Sequence, residues 1–98
     1  MTLSNEERGQ LEKSIDNQIK KLKTTVDIAR GATKNKEWGV KNDADFALGW
    51  SLGSIIADFS HNLTNLRQVN PPQEDIDEGV SIITKRIREI KEAIFYCG

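Results

Sequence analysis

Apolar residues recur along three long stretches of the chain at steps of three and four, the spacing that puts side chains on one face of an α-helix. In the first stretch, Ser4 and Glu7 have the spacing of a capping box, which marks the start of a helix. The apolar positions that follow form one narrow stripe: Leu11, Ile15, Leu22, Val26 and Ala29. Charged residues occupy the other faces, so this stretch predicts an amphipathic helix over residues 5–34.

The second stretch is the most apolar of the three and predicts a helix over residues 43–68. One apolar stripe comprises Leu48, Leu52, Ile55, Ile56, Phe59, Leu63 and Leu66. A second face comprises Phe46, Gly49, Trp50, Gly53 and Ala57. Because two apolar faces exceed the single stripe of a surface helix, we expect this helix to pack on two sides. Each glycine lowers helix stability by roughly 1 kcal/mol relative to alanine, so we also expect a close neighbour that compensates.

The third stretch begins at Pro71 and Pro72, which are tolerated in a first helical turn because the early N–H groups lack partners. Its apolar positions follow alternating steps of four and three: Ile76, Val80, Ile83, Ile87, Ile90 and Ile94. This seam of β-branched residues has the heptad spacing of helices that pair lengthwise. It predicts a helix over residues 71–96 that packs on the second helix or on a helix of another chain.

Short links between the predicted helices determine the expected architecture. Residues 35–42 break the helical period with a glycine and two asparagines, and Asn70 precedes the two prolines. Such links favour antiparallel neighbours, so we predict an all-α fold: an up-down-up three-helix antiparallel bundle in a single domain over residues 1–98. A chain of 98 residues buries a modest fraction of its surface, and dimerisation would complete such a bundle.

The charge balance argues against partners that need a strongly charged surface. Lys and Arg number 14 and Asp and Glu 15, for a net charge of -1, so no overall attraction to nucleic acid or to an anionic membrane is expected. The single cysteine, Cys97, has no partner for an internal disulfide. The polar first residues lack a signal-peptide pattern, and no stretch reaches the ~18 apolar residues of a membrane span. We therefore predict a cytoplasmic protein without membrane contact.

The sequence contains no arrangement typical of catalysis or cofactor binding. Its glycines form neither a phosphate-binding loop nor a Gly-x-Ser-x-Gly elbow. Asp58 and His61 have the residue types of a base with its orienting carboxylate, or of two metal ligands. A metal site normally needs three or four protein ligands, however, and the chain has one histidine and one cysteine. We interpret the pair as a surface contact and predict a non-enzymatic protein with no cofactor and no metal.

Our preferred functional hypothesis is a protein-interaction or assembly module that self-associates, with a dimer favoured. Gly49, Gly53 and Ala57 form a row of small residues that either admits the backbone of a partner helix or, more ordinarily, packs inside the bundle. The isoleucine seam offers a second surface for pairing. The predicted interface residues are Trp50, Gly53, Ile83, Ile87, Ile90 and Ile94.

Two other hypotheses remain open. A nucleic-acid-binding accessory protein would use the basic end of the first helix. Its anion contacts would be Lys20, Lys23, Arg30 and Lys34. Acidic residues interrupt this run, and a solvated helix face explains it more simply. A small-molecule sensor or enzyme would need a pocket beside Trp50 and His61, one aromatic and one titratable residue.

Overall fold

The structure, a computed structural model, describes residues 3–97 and consists of α-helices joined by short links. The all-α prediction is confirmed, and no β-strand occurs in this range. Residues 1, 2 and 98, the ends of the predicted domain, lie outside the described residues. None of the helices between residues 3 and 97 is long and apolar enough to cross a bilayer. The elements are α1 (Asn5–Lys20), α2 (Leu22–Lys34), a 3-10 turn (Lys36–Trp38), α3 (Asp43–Arg67), α4 (Gln73–Lys85) and α5 (Ile87–Cys97).

Five α-helices stand where the sequence predicts three, because the first and third predicted helices are each divided. The divisions fall at Lys21 and Arg86, where ψ is 2° and 7° instead of about -42°. Neither position is next to a glycine or a proline, so the sequence gives no sign of the breaks. The packing explains them: α1 contacts α3 and α4, whereas α2 contacts α3 and α5, so each half follows different neighbours.

The other helix ends follow local sequence signals. The Glu7 N–H donates to Ser4 Oγ at 3.1 Å and the Ser4 N–H donates to Glu7 Oε1 at 2.9 Å, which confirms the capping box. At the start of α3, Asn42 Oδ1 accepts from the Asp45 N–H at 3.0 Å. α3 ends at Arg67 because Gln68 takes the left-handed conformation, with φ of 59°.

α3 lies at the centre of the fold and contacts each of the other four α-helices. Its buried residues lie four apart, the spacing of a ridge along a helix surface. We call them the inner row: Ala47, Ser51, Ile55, Phe59 and Leu63. The polar member, Ser51, donates from Oγ to the Ala47 carbonyl oxygen at 2.8 Å, so the row buries no unsatisfied hydroxyl.

Phe59 of the inner row determines how closely α4 approaches α3. Gly79 of α4 is buried against the Phe59 ring, and a Cβ atom at position 79 would overlap that ring. The missing side chain of Gly79 therefore makes room for an aromatic ring of the same chain. No pattern in the sequence signals this pairing, because the two residues lie on different helices.

The isoleucine seam of the third predicted helix packs inside the chain. Ile83, Ile90 and Ile94 are 3%, 0% and 7% exposed, and Ile87 is half-buried. α4 and α5 both contact α3, and α5 also packs on α2. The spacing allows the seam to pack on helices of its own chain or on a helix of another chain, and it packs on helices of its own chain.

Candidate protein-interaction surface

The face of α3 opposite the inner row is exposed. Its members lie two residues away from those of the inner row, which is about 200° around a helix. We call them the outer row: Asp45, Gly49, Gly53, Ala57 and His61. The second face that the sequence predicts to pack is divided: Phe46 is half-buried and packs against the core, whereas its small residues, which also belong to the outer row, are exposed within the described residues. The inner side already meets the other four helices, and none of them is left to cover the outer row.

Gly49 and Gly53 have open space beside them. A Cβ atom at either position would meet no atom of the described residues within 4 Å, the adjacent helix backbone aside. The compensating neighbour that the sequence predicts for these glycines is therefore not found in this part of the chain. The roughly 1 kcal/mol by which each glycine lowers helix stability stays uncompensated there.

Three aromatic rings, the aromatic cluster, contact one another at the start of α3. Ring centroids lie 6.4 Å apart between Trp38 and Phe46 and 5.8 Å apart between Phe46 and Trp50. Trp38 ends the 3-10 turn, and Gly39 supplies the left-handed conformation, with φ of 66°, that follows it. Trp38 and Trp50 are 57% and 43% exposed. The two exposed tryptophans, joined through Phe46, form the kind of apolar patch that marks interaction sites, and Trp50 places it next to the open face of α3.

A cleft of about 340 Å³ lies beside Trp50, between the α1–α2 junction and α3. Its lining is mostly polar: Gln18, Lys21, Thr24, Thr25, Ile28, Trp50, Ser54 and Asp58. His61 is not in this lining, and its Nε2 lies 3.1 Å from Asn65 Nδ2. Trp50 and Asp58 therefore both line this cleft, whereas His61 belongs to the outer row.

A larger cleft of about 440 Å³ opens between α2, the start of α3 and α5. It combines apolar side chains with charges of both signs: Val26, Arg30, Asp43, Ala44, Asp45, Leu48, Lys91, Ile94 and Phe95. The Arg30 Nη2 donates to the Cys97 carbonyl oxygen at 3.2 Å. The sequence does not signal this cleft, because it forms where three separate segments meet.

The six predicted interface residues fall into two groups. Trp50 and Gly53 lie at the surface on α3, one turn apart. Ile83, Ile90 and Ile94 lie in the core, and a partner could reach them only if the core opened. We therefore withdraw the part of the interface prediction that rests on the isoleucine seam, half-buried Ile87 included, and keep the part that rests on α3.

The four predicted anion contacts are not equivalent. Lys20, Lys23 and Lys34 are exposed on α1 and α2, as a solvated or a nucleic-acid-binding face requires. Arg30 is half-buried, lines the larger cleft and contacts Cys97. Because its guanidinium is directed toward α5, the basic residues do not share one open surface.

Arg67 connects three helix ends. Its Nε and Nη2 each lie 2.8 Å from a Glu7 carboxylate oxygen, and it also pairs with the buried Asp75 of α4. Hydrogen bonding to Arg67 lowers the pKa of Glu7 to about 2, because the guanidinium stabilises the carboxylate. This cluster joins the end of α3 to the first turns of α1 and α4, and the sequence does not signal it.

Arg86, at the break between α4 and α5, makes similar contacts with α1. Its Nη2 lies 2.7 Å from Asp16 Oδ1 and its Nη1 lies 3.2 Å from Glu12 Oε1. Nη2 also lies 2.8 Å from Glu89 Oε2, and hydrogen bonding to Arg86 lowers the pKa of Glu89. The cluster therefore ties the junction of two helices to a third helix.

Comparison with known proteins adds no family to this picture. The sequence matches no protein-family model, and neither curated proteins nor solved structures gave a match. Within residues 3–97, no three His, Cys, Asp or Glu side chains are grouped so that they could hold a metal ion. The surface of α3 is therefore interpreted from its own chemistry.

Proposed function

We propose that this protein is a non-enzymatic interaction or assembly module that binds a protein partner through the outer row and the aromatic cluster. The observation that carries the proposal is that exposed Trp50, which Phe46 links to exposed Trp38, adjoins a helix face whose two glycines have open Cβ positions. Tryptophan contributes strongly to protein interfaces because it buries a large area with few rotatable bonds. Glycines on a helix surface allow another backbone to come close.

The two carboxyl groups with lowered pKa values, Glu7 and Glu89, are structural and not candidates for a catalytic acid or base. A catalytic acid or base usually has a pKa shifted toward neutrality, so that it can exchange a proton at working pH. The pKa values of Glu7 and Glu89 are both shifted downward, because Arg67 and Arg86 hold their carboxylates in ion pairs. Groups held in this way support a structural role.

We further propose that α1 with α2, and α4 with α5, act as two bent helices, which with α3 make an up-down-up three-helix bundle. In support, the Thr25 N–H donates to the Lys21 carbonyl oxygen at 3.2 Å, so helical hydrogen bonding resumes directly after that break. The Ile90 N–H likewise donates to the Arg86 carbonyl oxygen at 3.4 Å. Residual dipolar couplings, which report the direction of each helix axis, test this arrangement.

The partner that we favour is another copy of the chain, in a dimer located in the cytoplasm. The single Cys97 requires no oxidising compartment, which supports that location. Cell fractionation followed by detection of the chain tests it, and recovery in a membrane or secreted fraction would contradict it.

Hydroxyl-radical footprinting inside the native cell tests whether α3 binds a protein. Radicals oxidise exposed aromatic rings, so a partner should protect Trp38 and Trp50 relative to the dilute purified chain. Tyr96 of α5, which is 83% exposed, is the internal control to which oxidation is normalised. Equal tryptophan oxidation in the cell and in dilute solution would overturn the proposal, whatever the partner is.

A nucleic-acid-binding accessory role is the second candidate, and the exposure of Lys20, Lys23 and Lys34 supports it. If these lysines bind phosphates, affinity for mixed-sequence DNA or RNA should fall steeply with salt, because binding releases counterions. Fluorescence anisotropy over a salt series measures this. Absence of binding at low salt removes the candidate and leaves the protein-interaction proposal in place.

A further inference from the structure

We infer, on the basis of the interaction function proposed above, that a second copy of this chain covers the outer row, with the two α3 helices antiparallel and crossing at Gly53. The aromatic cluster marks where such a partner binds, because it is the exposed apolar patch next to the row. The order of side chains along the row identifies the partner and its direction.

The outer row reads, along α3, as an acid, three small residues and an imidazole. A two-fold axis at Gly53 places Asp45 of one copy opposite the partner's His61, and the partner's Asp45 opposite His61. Gly49 then lies opposite the partner's Ala57. The row is thus complementary to itself in its polar groups, a carboxylate facing an imidazole, and in size when the second copy runs in the opposite direction.

The opposite orientation is unfavourable. In a parallel pair, Asp45 would face the partner's Asp45, and each His61 would face another imidazole. Two carboxylates in one contact repel each other, so this repulsion disfavours the parallel pair relative to the antiparallel one. The carboxylate at one end of the row and the imidazole at the other therefore favour the antiparallel arrangement.

The position of His61 suits this pairing. Asn65 Nδ2 lies 3.1 Å from His61 Nε2, so this ring nitrogen already has a polar neighbour within the chain. Nδ1 is the other ring nitrogen, and it can face a carboxylate of the partner. The partner's Asp45 offers that carboxylate: Asp45 is exposed at the start of α3, where it also lines the larger cleft, and the cap at Asn42 uses only its backbone N–H.

The centre of the row suits close packing of two helices. Residues spaced by four form the ridges and grooves of the commonest helix-packing class, in which the rows of both helices align. Gly49 and Gly53 leave a groove on two successive turns, with nothing else described within 4 Å of their Cβ positions. Trp50 adjoins Gly49 at the rim of this groove, so a helix lying in it covers part of the exposed ring.

The first experiment is light scattering of the purified full chain over a dilution series, with Gly53→Leu and Gly31→Leu as a matched pair. Both glycines are exposed, helical and without a neighbour within 4 Å, so both variants should fold, as circular dichroism would verify. The native chain should dimerise. Gly53→Leu fills the groove and should raise the dimer Kd at least about tenfold, whereas Gly31→Leu should not change it.

A native chain that stays monomeric at all concentrations would overturn the inference, as would a Gly53→Leu variant that dimerises normally. Neither result alone removes the interaction proposal. Tryptophan protection in the cell, together with a monomer in solution, would mean that a different protein covers α3.

The second experiment tests direction by exchanging charges. Asp45→Lys and His61→Asp should each weaken the dimer, because the first removes the carboxylate that faces the partner's imidazole and the second places two carboxylates opposite one another. The double variant should restore it, since only an antiparallel pair brings positions 45 and 61 face to face. Asp43→Lys, an equal charge change in the same turn but off the outer row, is the control and should leave the dimer intact. A double variant that remains monomeric would exclude the antiparallel register.

Discussion

The two faces of α3 use glycine in opposite ways. Beside the inner row, Gly79 of α4 makes room for Phe59, and the ring fills that room. On the outer row, Gly49 and Gly53 leave space that no described residue fills. A glycine inside a helix lowers its stability, so it is typically kept where its missing side chain admits a neighbour. The neighbour of Gly79 belongs to the chain. Open space is a property that Gly49 and Gly53 share with Gly31, and the adjacent exposed Trp50 is what favours a neighbour outside the chain for Gly49 and Gly53.

The largest expected difference between the two faces is in core packing. Ile55→Ala removes a side chain that is 1% exposed, so the free energy of unfolding should fall by about 2–5 kcal/mol. His61→Ala on the outer row should change it by no more than about 0.5 kcal/mol in the dilute chain. Urea denaturation measures both. Similar losses from the two variants would contradict the division of α3 into a packed face and an open one.

The next effect concerns the end of the packed face, where Arg67 holds Glu7. Glu7→Gln should lower stability at neutral pH by about 1.5–3 kcal/mol, the value of a charge-assisted hydrogen bond. The pKa of Glu7 is lowered from 4.5 to about 2 in the folded chain, so this contact stabilises the fold above about pH 4.5. The stabilisation is lost as the pH falls from there toward about 2.

Thermal denaturation over that pH range measures the effect. Glu7→Gln should flatten the fall in stability, while Glu6→Gln, an exposed neighbour in the same turn, serves as the control. If the stability curves of the native chain and of Glu7→Gln have the same slope below pH 4.5, the Arg67 contact does not set the acid sensitivity.

Substitution of Gly79 should lower the free energy of unfolding by as much as Glu7→Gln does, or by less. Gly79→Ala should reduce stability by about 1–3 kcal/mol, the range for overpacking a core, because the new methyl group overlaps Phe59. In a Phe59→Leu background, Gly79→Ala should lower the free energy of unfolding by less than it does in the native chain. A double-mutant cycle of unfolding free energies tests this coupling, and additive losses would mean that the two residues do not constrain each other.

The smallest effect has the opposite sign. Gly53→Ala should raise the stability of the dilute chain by up to about 1 kcal/mol, since alanine is the better helix former and its methyl group meets no described atom. Chemical denaturation at low protein concentration measures it. A loss of stability would show that position 53 has a close neighbour within the chain.

Patterns local to each stretch predicted the helices, the capping box at Ser4 and the helical character of nearly the whole described chain. The breaks at Lys21 and Arg86 escaped prediction because they arise from tertiary contacts and not from glycine or proline. The apolar composition of α3 suggested two packed faces, yet composition does not reveal how many helices are present to cover them. The contacts of Arg67 and Gly79 escaped for a similar reason, since each joins residues far apart in sequence.

The Arg67 cluster also has a consequence for the order of folding. Its contact with Glu7 joins residues 60 positions apart, whereas α2 and α3 are neighbours in sequence and pack on each other. Closing a long loop costs more chain entropy than closing a short one, so the α2–α3 hairpin should form early and the first turn of α1 should dock late. Stopped-flow measurements on Glu7→Gln should then show faster unfolding with a nearly unchanged folding rate.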